Sequence, residues 1–406
     1  MRRRDFGIGM AVLGASGCVR GAPPAAFGVG SAFLDARLAP GRDDTLVVHT
    51  DREGRRAAAY DAALVALVLL RRARRDEAAR VVLGVAATQR DDGAVPFSVV
   101  RGAEHESSGY VRSGAVAWCG YAAAEILDAA PWDGPTRARV VAFGHRVAAY
   151  LVARQVTRAG DPRDGLVTGG EGTYVADVDE RGAIVERFVR GDATWASTEH
   201  NVDAFFFLRR FARVVESTAF ARAAARIQDG LLRSFDEAAG QLPAGVRAEG
   251  IDRTHALDAA SWGAVLLAAA GERERAERSA QVADQRFGVR ALERGVVGHR
   301  PFADGPIFAN ERVVARFGAR EWSELDLVWP EGSAGVALAA LRTGRPDRAR
   351  AILDALEPLR DRGALPTATR AVPLQFDVEP SVAGTAWSEL VRYELARPAA
   401  APTLFT

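Results

Sequence analysis

The chain contains no lysine: all 53 of its basic residues, among 406 positions, are Arg. Schiff-base and lysine-nucleophile chemistry lack their amine, which excludes pyridoxal enzymes and P-loop nucleotide hydrolases in their usual form. Cysteine is nearly absent, with Cys18 and Cys119 alone. No Cys pair exists for zinc, and if Cys18 is removed or acylated no intrachain disulfide can form, so packing must supply stability. The six His include no His-Glu-x-x-His, and no metal or cofactor is expected. Charge of one sign is lacking too, the net formal charge being +1 without a long charged block, which excludes a nucleic-acid footprint. "EGSAG" lacks the first Gly of a nucleophile elbow and opens a helix, against a serine hydrolase.

The start, MRRRDFGIGMAVLGASGC, places Arg-Arg-x-Phe at Arg3 to Phe6 before a short apolar run, and resembles a twin-arginine export signal over residues 1–21. It implies a periplasmic or extracellular protein. Ile8 to Gly17 is too short to span a bilayer. Cys18 stands where a lipoprotein signal carries its acylated Cys, so a lipid anchor there is weighed, although Ala15 replaces the usual Leu. Residues 22–56 read as a linker leading into a domain over 57–406.

What the chain has is helix. Its composition is 48% hydrophobic, enough for one large core or two ordinary ones. Segments apolar nearly all round, each opened by a polar or aromatic cluster, recur through the chain: "AAYDAALVALVLL", "SGAVAWCGYAAAEIL", "STEHNVDAFFFLRRF", "HALDAASWGAVLLAAA", "WPEGSAGVALAAL" and "SVAGTAWSELVRY". Between them run helices with one apolar stripe, such as "GPTRARVVAFGHRVAAYLVARQ". Inner, buried helices alternate with outer ones. "TYVADVDERGAIVERFV" adds a β-hairpin in the long connection 159–194.

This alternation, with "STEHN", "WPEGSAG" and "AGTAW" at helix openings, resembles the six-hairpin glycosidase superfamily. The resemblance implies an all-α fold, an (α/α)6 barrel or α/α toroid, whose inner-helix N-termini converge on one mouth, and a carbohydrate ligand. Five clear outer helices are present; the sixth is expected near Ala32 to Leu38 or is missing. "QRDDGAVPF" reads as a structural turn on the side away from the mouth.

Unusual residues gather at the helix openings. Trp118, Trp195, Trp262, Trp329 and Trp387, five of the seven Trp, offer flat apolar faces to sugar rings, although Trp is also an ordinary core residue. In "WASTEHNVDAFFF", Ser197 or Thr198 is expected to cap the helix and Glu199 to complement its dipole. Asp203 lies at i+4 from Glu199, roughly 6 Å away on the same face, where repulsion and burial would raise one pKa as a general acid requires.

Glu331 beside Pro330 at a helix start is the carboxylate expected to face the mouth from the side opposite Asp61 or Glu199, the arrangement glycoside hydrolysis needs. His200 is a fourth catalytic candidate. Tyr60, Asp61, Asn201, His255 and Asp258 are expected with the Trp residues to bind sugar. Glu171 and Glu379 complete the candidate acids. Three functions stand: a glycoside hydrolase or transglycosylase acting through carboxylates on an oligo- or polysaccharide; a sugar epimerase or polysaccharide lyase using His200, His255 or a Tyr; and a non-catalytic glycan-binding envelope protein.

Overall fold

The structure, a computed structural model, describes residues 27–102, 109–129, 134–397 and 403–405. The expected export signal, Cys18 included, lies outside the described residues. None of the described helices is long and apolar enough to cross a membrane.

Six helices form the inner layer among the described residues: α2 (Ala59–Arg71), α4 (Ser113–Asp128), α6 (Thr198–Val214), α8 (Leu257–Ala269), α11 (Pro330–Arg342) and α13 (Val382–Ala396). Each packs against the next in that order, and α13 packs against α2. Their sequences explain the placement: in α2, Asp61 and every residue from Ala62 to Arg71 are buried, and a helix apolar on all sides is stable only with neighbours on all sides. Gly120 admits the Phe207 ring, since a Cβ there would lie 2.6 Å from it, so α4 and α6 approach closely.

The outer helices α3 (Arg75–Ala86), α5 (Pro135–Ala153), α7 (Thr218–Ser234), α9 (Arg273–Arg286) and α12 (Pro346–Leu356) each lean on the inner helix before them. Their charged faces meet solvent. The place of a sixth is filled by the short α1 (Gly30–Asp35), packed on α13. Residues 27–56 are therefore part of the domain rather than the expected linker. Glu389, itself buried, accepts the Gly28 and Gly30 N–H groups at 2.6 and 3.2 Å. The two-stranded β1 (Leu38–Pro40) and β2 (Leu46–Val48) then lie against α3.

Small sheets set the inner-helix starts at one end of the ring, the mouth. β3 (Arg56–Ala58), paired with β4 (Ser98–Val100), runs into α2. β5 (Val111–Arg112) runs into α4 and pairs with β6 (Gly170–Val178), which forms the expected hairpin with β7 (Ile184–Ala193). β8 (Ala196–Ser197) runs into α6 and pairs with β9 (Gly245–Arg247), next to β10 (Gly250–Asp252). β11 (Gly288–Ala291) and β12 (Val296–His299) precede α10 (Glu311–Phe317) and α11, and β13 (Leu365–Pro366) pairs with β14 (Pro380–Ser381), which runs into α13.

Two expectations fail here. Ser197 occupies the N-cap position but makes no side-chain cap, and its backbone belongs to the β8–β9 pairing that runs into the helix. "QRDDGAVPF" lies on the mouth side, not away from it: Phe97 O accepts the N–H of Ala59, the first residue of α2, at 3.0 Å. An outer helix runs antiparallel to its inner partner, so the turn after it returns to the mouth.

Candidate functional site

At the mouth, α2, α4, α6, α8, α11 and α13 surround a small hollow. Its lining consists of Tyr60, Trp118, Glu199, Asp203, Asp258, Ser261, Trp262, Trp329, Glu331, Gly332, Gly335 and Trp387. Four carboxyls and four indoles thus share one small space, and no Arg or His lines it among the described residues. A larger, more open hollow between α6 and α7, at Phe205, Arg209 and Thr218, has a single carboxylate, Glu216, in its lining.

The floor is aromatic. Trp118 and Trp262 stack with centroids 5.8 Å apart, and Trp387 meets both edge-on at 5.4 and 5.6 Å. Below them lies Phe405, which meets the Trp262 ring at 4.7 Å and stacks on Tyr121 at 4.9 Å. Its N–H donates to Tyr121 Oη at 2.9 Å, which fixes the tail at the foot of the pocket.

Two hydrogen-bond chains hold the acids. Trp262 Nε1–H donates to Asp203 Oδ1 at 2.8 Å. Trp387 Nε1–H donates to Tyr60 Oη at 2.7 Å, and the Tyr60 hydroxyl donates to Glu331 Oε1 at 2.8 Å. The tryptophans therefore orient the carboxyls as well as forming the floor.

Loss of hydration pushes the Glu199 carboxyl up to about 7. Burial, with the Asp61 and Glu199 charges behind it, pushes Glu331 up to about 8 against the opposing Tyr60 hydrogen bond. Asp203 is raised well above the usual carboxylate range by burial first and by Glu199 second, with the Trp262 bond acting the other way. Asp258 is raised by burial and then by Glu199 and Glu331. Like charges this close share protons, so the cluster holds protonated and ionised carboxyls side by side near neutrality.

The other expected residues stand outside the hollow. Asp61 turns to Thr50, whose Oγ1 donates to Asp61 Oδ2 at 2.7 Å, and burial raises it to about 6. Asn201 is consumed by backbone: its Nδ2 donates to Val167 O and Ser197 O, and its Oδ1 accepts from Val167 N–H. Trp195 packs on His200 at 5.4 Å. Burial first, and Arg112 second, push His200 down to about 3, so it is neutral. His255 pairs its Nδ1 with Asp304 Oδ2 at 2.6 Å at the surface. Glu171 lies between Arg90 and Arg154, and Glu379 is exposed.

Glu331 is not opposite Asp61 or Glu199. In the order of packing, α11 stands two helices from α6 and two from α2, so the three acids flank one another. Ser261, Gly332 and Gly335 were not expected. Ser261 follows Asp258 by one helical turn, a spacing that could have signalled it. Gly332 lets Trp329 and Leu257 close on the start of α11, where a Cβ would lie 2.3 and 2.7 Å from them, whereas a Cβ at Gly335 would meet only Ser261 Oγ at 3.5 Å, and no sequence pattern announces either.

Searches of family models and of curated protein sequences return no match. Solved structures do match. A D-mannose isomerase superposes with a TM-score of 0.60 at 9% identity, covering 91% of this chain and 95% of that one. A GH63 mannosylglycerate hydrolase from Thermus thermophilus gives 0.57 at 13%, covering 90% and 98%. A cellobiose 2-epimerase from Bacillus thermoamylovorans gives 0.55 at 10%, covering 89% and 95%.

The chain shares its fold with these structures. At such low identity the likeness extends to the fold alone. A hydrolase, an isomerase and an epimerase occur among these structures.

Proposed function

We propose that the chain closes as an (α/α)6 barrel and hydrolyses a glycosidic bond of a saccharide held on the Trp118, Trp262 and Trp387 floor. The observation that carries this reading is the set of raised-pKa carboxyls facing one aromatic pocket. Glu331, protonated up to about pH 8, is the general acid that gives its proton to the leaving oxygen. Glu199, the more accessible carboxyl and raised only to about 7, ionises first and acts as base or nucleophile. Asp203 and Asp258 hold sugar hydroxyls and keep the shared proton in the cluster. The N-terminal pattern supports export to the periplasm or beyond, with Cys18 as a candidate lipid anchor.

The test is a panel of α- and β-linked manno- and gluco-disaccharides with product analysis. Glu331→Gln and Glu199→Gln should each abolish release of monosaccharide, while His200→Ala and His255→Ala retain it. Loss of activity in the His variants with full activity in Glu331→Gln would overturn the assignment.

A second reading, sugar epimerisation or isomerisation, is supported by the D-mannose isomerase and cellobiose 2-epimerase of the same fold. With both candidate His outside the hollow, proton transfer at carbon would fall to the carboxyls or Tyr60. An isomerised sugar of unchanged mass would favour it. Bound saccharide with no product of either kind would favour a glycan-binding protein.

A further inference from the structure

The β6–β7 hairpin is longer than a connection from α5 to α6 requires, and its far end is not free. It leaves the mouth between the starts of α4 and α6, and its tip meets the chain that leads into α11. The starts of α6 and α8, which carry Glu199 and Asp258, lie between those two points in the ring.

Asn310 Nδ2 donates to Ala176 O at 2.9 Å, and Arg312 donates to Asp177 Oδ1 at 2.9 Å and to Val178 O at 2.6 Å. Beneath these bonds, Ala176, Val178 and Ile184 pack on Ile307, Phe308 and Val313. The ion pair is exposed and contributes little. The apolar contact carries the docking.

This second cluster is joined to the pocket by one side chain. Trp329 lines the hollow and also packs against the cluster, with the Phe376 ring 5.8 Å away. The docked hairpin and the wall of the site next to Glu331 are therefore one packed unit.

We propose that the docked hairpin closes one end of the mouth and makes the site a blind pocket, fit for short saccharides or a chain end and not for the interior of a polysaccharide. This rests on the carbohydrate reading for its ligand, but the closure itself does not. On the α11 side of the mouth, where a saccharide chain crossing it would leave, Val178 and Ile184 of the hairpin and Trp329 of the pocket wall pack against the same apolar cluster.

The test uses the full chain with Cys18→Ser and a reporter, Gly335→Cys, at the pocket wall. A Cβ at Gly335 meets only Ser261 Oγ, at 3.5 Å, so the substitution fits. Native Cys119 is buried, with its thiol pushed up to about 12 by burial, and stays unreactive. The hairpin is released by Val178→Asp with Ile184→Asp, both only partly buried and outside the ring of helices. N-ethylmaleimide should label the reporter at the same rate with or without release. Dextran bearing maleimide on internal sugars should label the released form several-fold faster than the docked form.

Equal dextran rates in the two forms would overturn the proposal. A ladder of manno-, cello- and chito-oligosaccharides read by calorimetry is the second arm. Affinity should stop rising with length in the docked protein and continue to rise in the released one, and affinity that climbs with length in the docked protein would refute closure. If no oligosaccharide binds either form, the carbohydrate reading fails while the labelling arm still decides the closure.

Discussion

Replacing Glu331 by Gln should remove activity and, at alkaline pH, stabilise the protein. In the folded state Glu331 is raised to about 8 from an ordinary 4.5. Between those values the native chain holds a proton that the unfolded chain has released, so the wild type loses stability as pH rises from 5 to 8. Taken in full, 3.5 units correspond to about 5 kcal/mol. Water in the hollow and the shared protons of Glu199, Asp203 and Asp258 reduce this to about 2 kcal/mol.

Gln mimics the protonated acid in size, and its Oε1 can still accept the Tyr60 hydroxyl. It carries no charge to uncover. The variant and the wild type should therefore melt together near pH 5, and the variant should melt higher near pH 9 by roughly 2–3 °C for a chain of this length. Differential scanning fluorimetry at pH 5, 7 and 9 reads the effect. A melting difference that is the same at all three pH values would show that Glu331 ionises in the native protein as it does in water, and the general-acid assignment would fall with it.

Three further outcomes follow from the same geometry. Gly114→Ala places a Cβ 2.5 Å from the His200 ring and 2.7 Å from Asp203 Oδ2. Overpacking there should cost about 1–3 kcal/mol, read by denaturant unfolding, and should lower activity by displacing Asp203. Trp262→Phe keeps the aromatic floor but removes the hydrogen bond to Asp203. Its activity should fall while its melting temperature changes little, and unaltered kinetics would remove Asp203 from the site. Phe405→Ala empties the space beneath three tryptophans and should cost about 3–5 kcal/mol, with a red shift of Trp emission as water reaches the floor.

Much of the architecture was legible because helix periodicity is local. The apolar girth of "AAYDAALVALVLL" and the single stripe of "GPTRARVVAFGHRVAAYLVARQ" separate inner from outer helices without reference to any neighbour. Within the site, Trp262, Asp203 and Glu331 could be picked out as polar or aromatic residues at otherwise apolar helix starts. His200 and Asn201, equally conspicuous in the same opening, point elsewhere. A helix start presents its residues around a full turn, and only the packing of α4 and α8 on α6 decides which faces the axis.

The failed expectations share that cause. Ser197 stands at the N-cap, in a strand paired with a segment nearly 50 residues away, and makes no side-chain cap. His255 pairs with Asp304 at the surface, and the buried Asp61 is held by Thr50. Each partner comes from a different part of the chain.

What the sequence by itself determined is the helical alternation, the lack of lysine, and the concentration of carboxyls and indoles at the helix starts, because these depend on residue type and near neighbours. The tertiary structure alone decided that Glu199, Asp203, Asp258 and Glu331 share one aromatic hollow, that Trp262 orients Asp203 while Trp387 and Tyr60 orient Glu331, and that a hairpin reaches Asn310 and Arg312. Those facts depend on where distant segments meet, and on burial that raises a pKa only once every wall is in place.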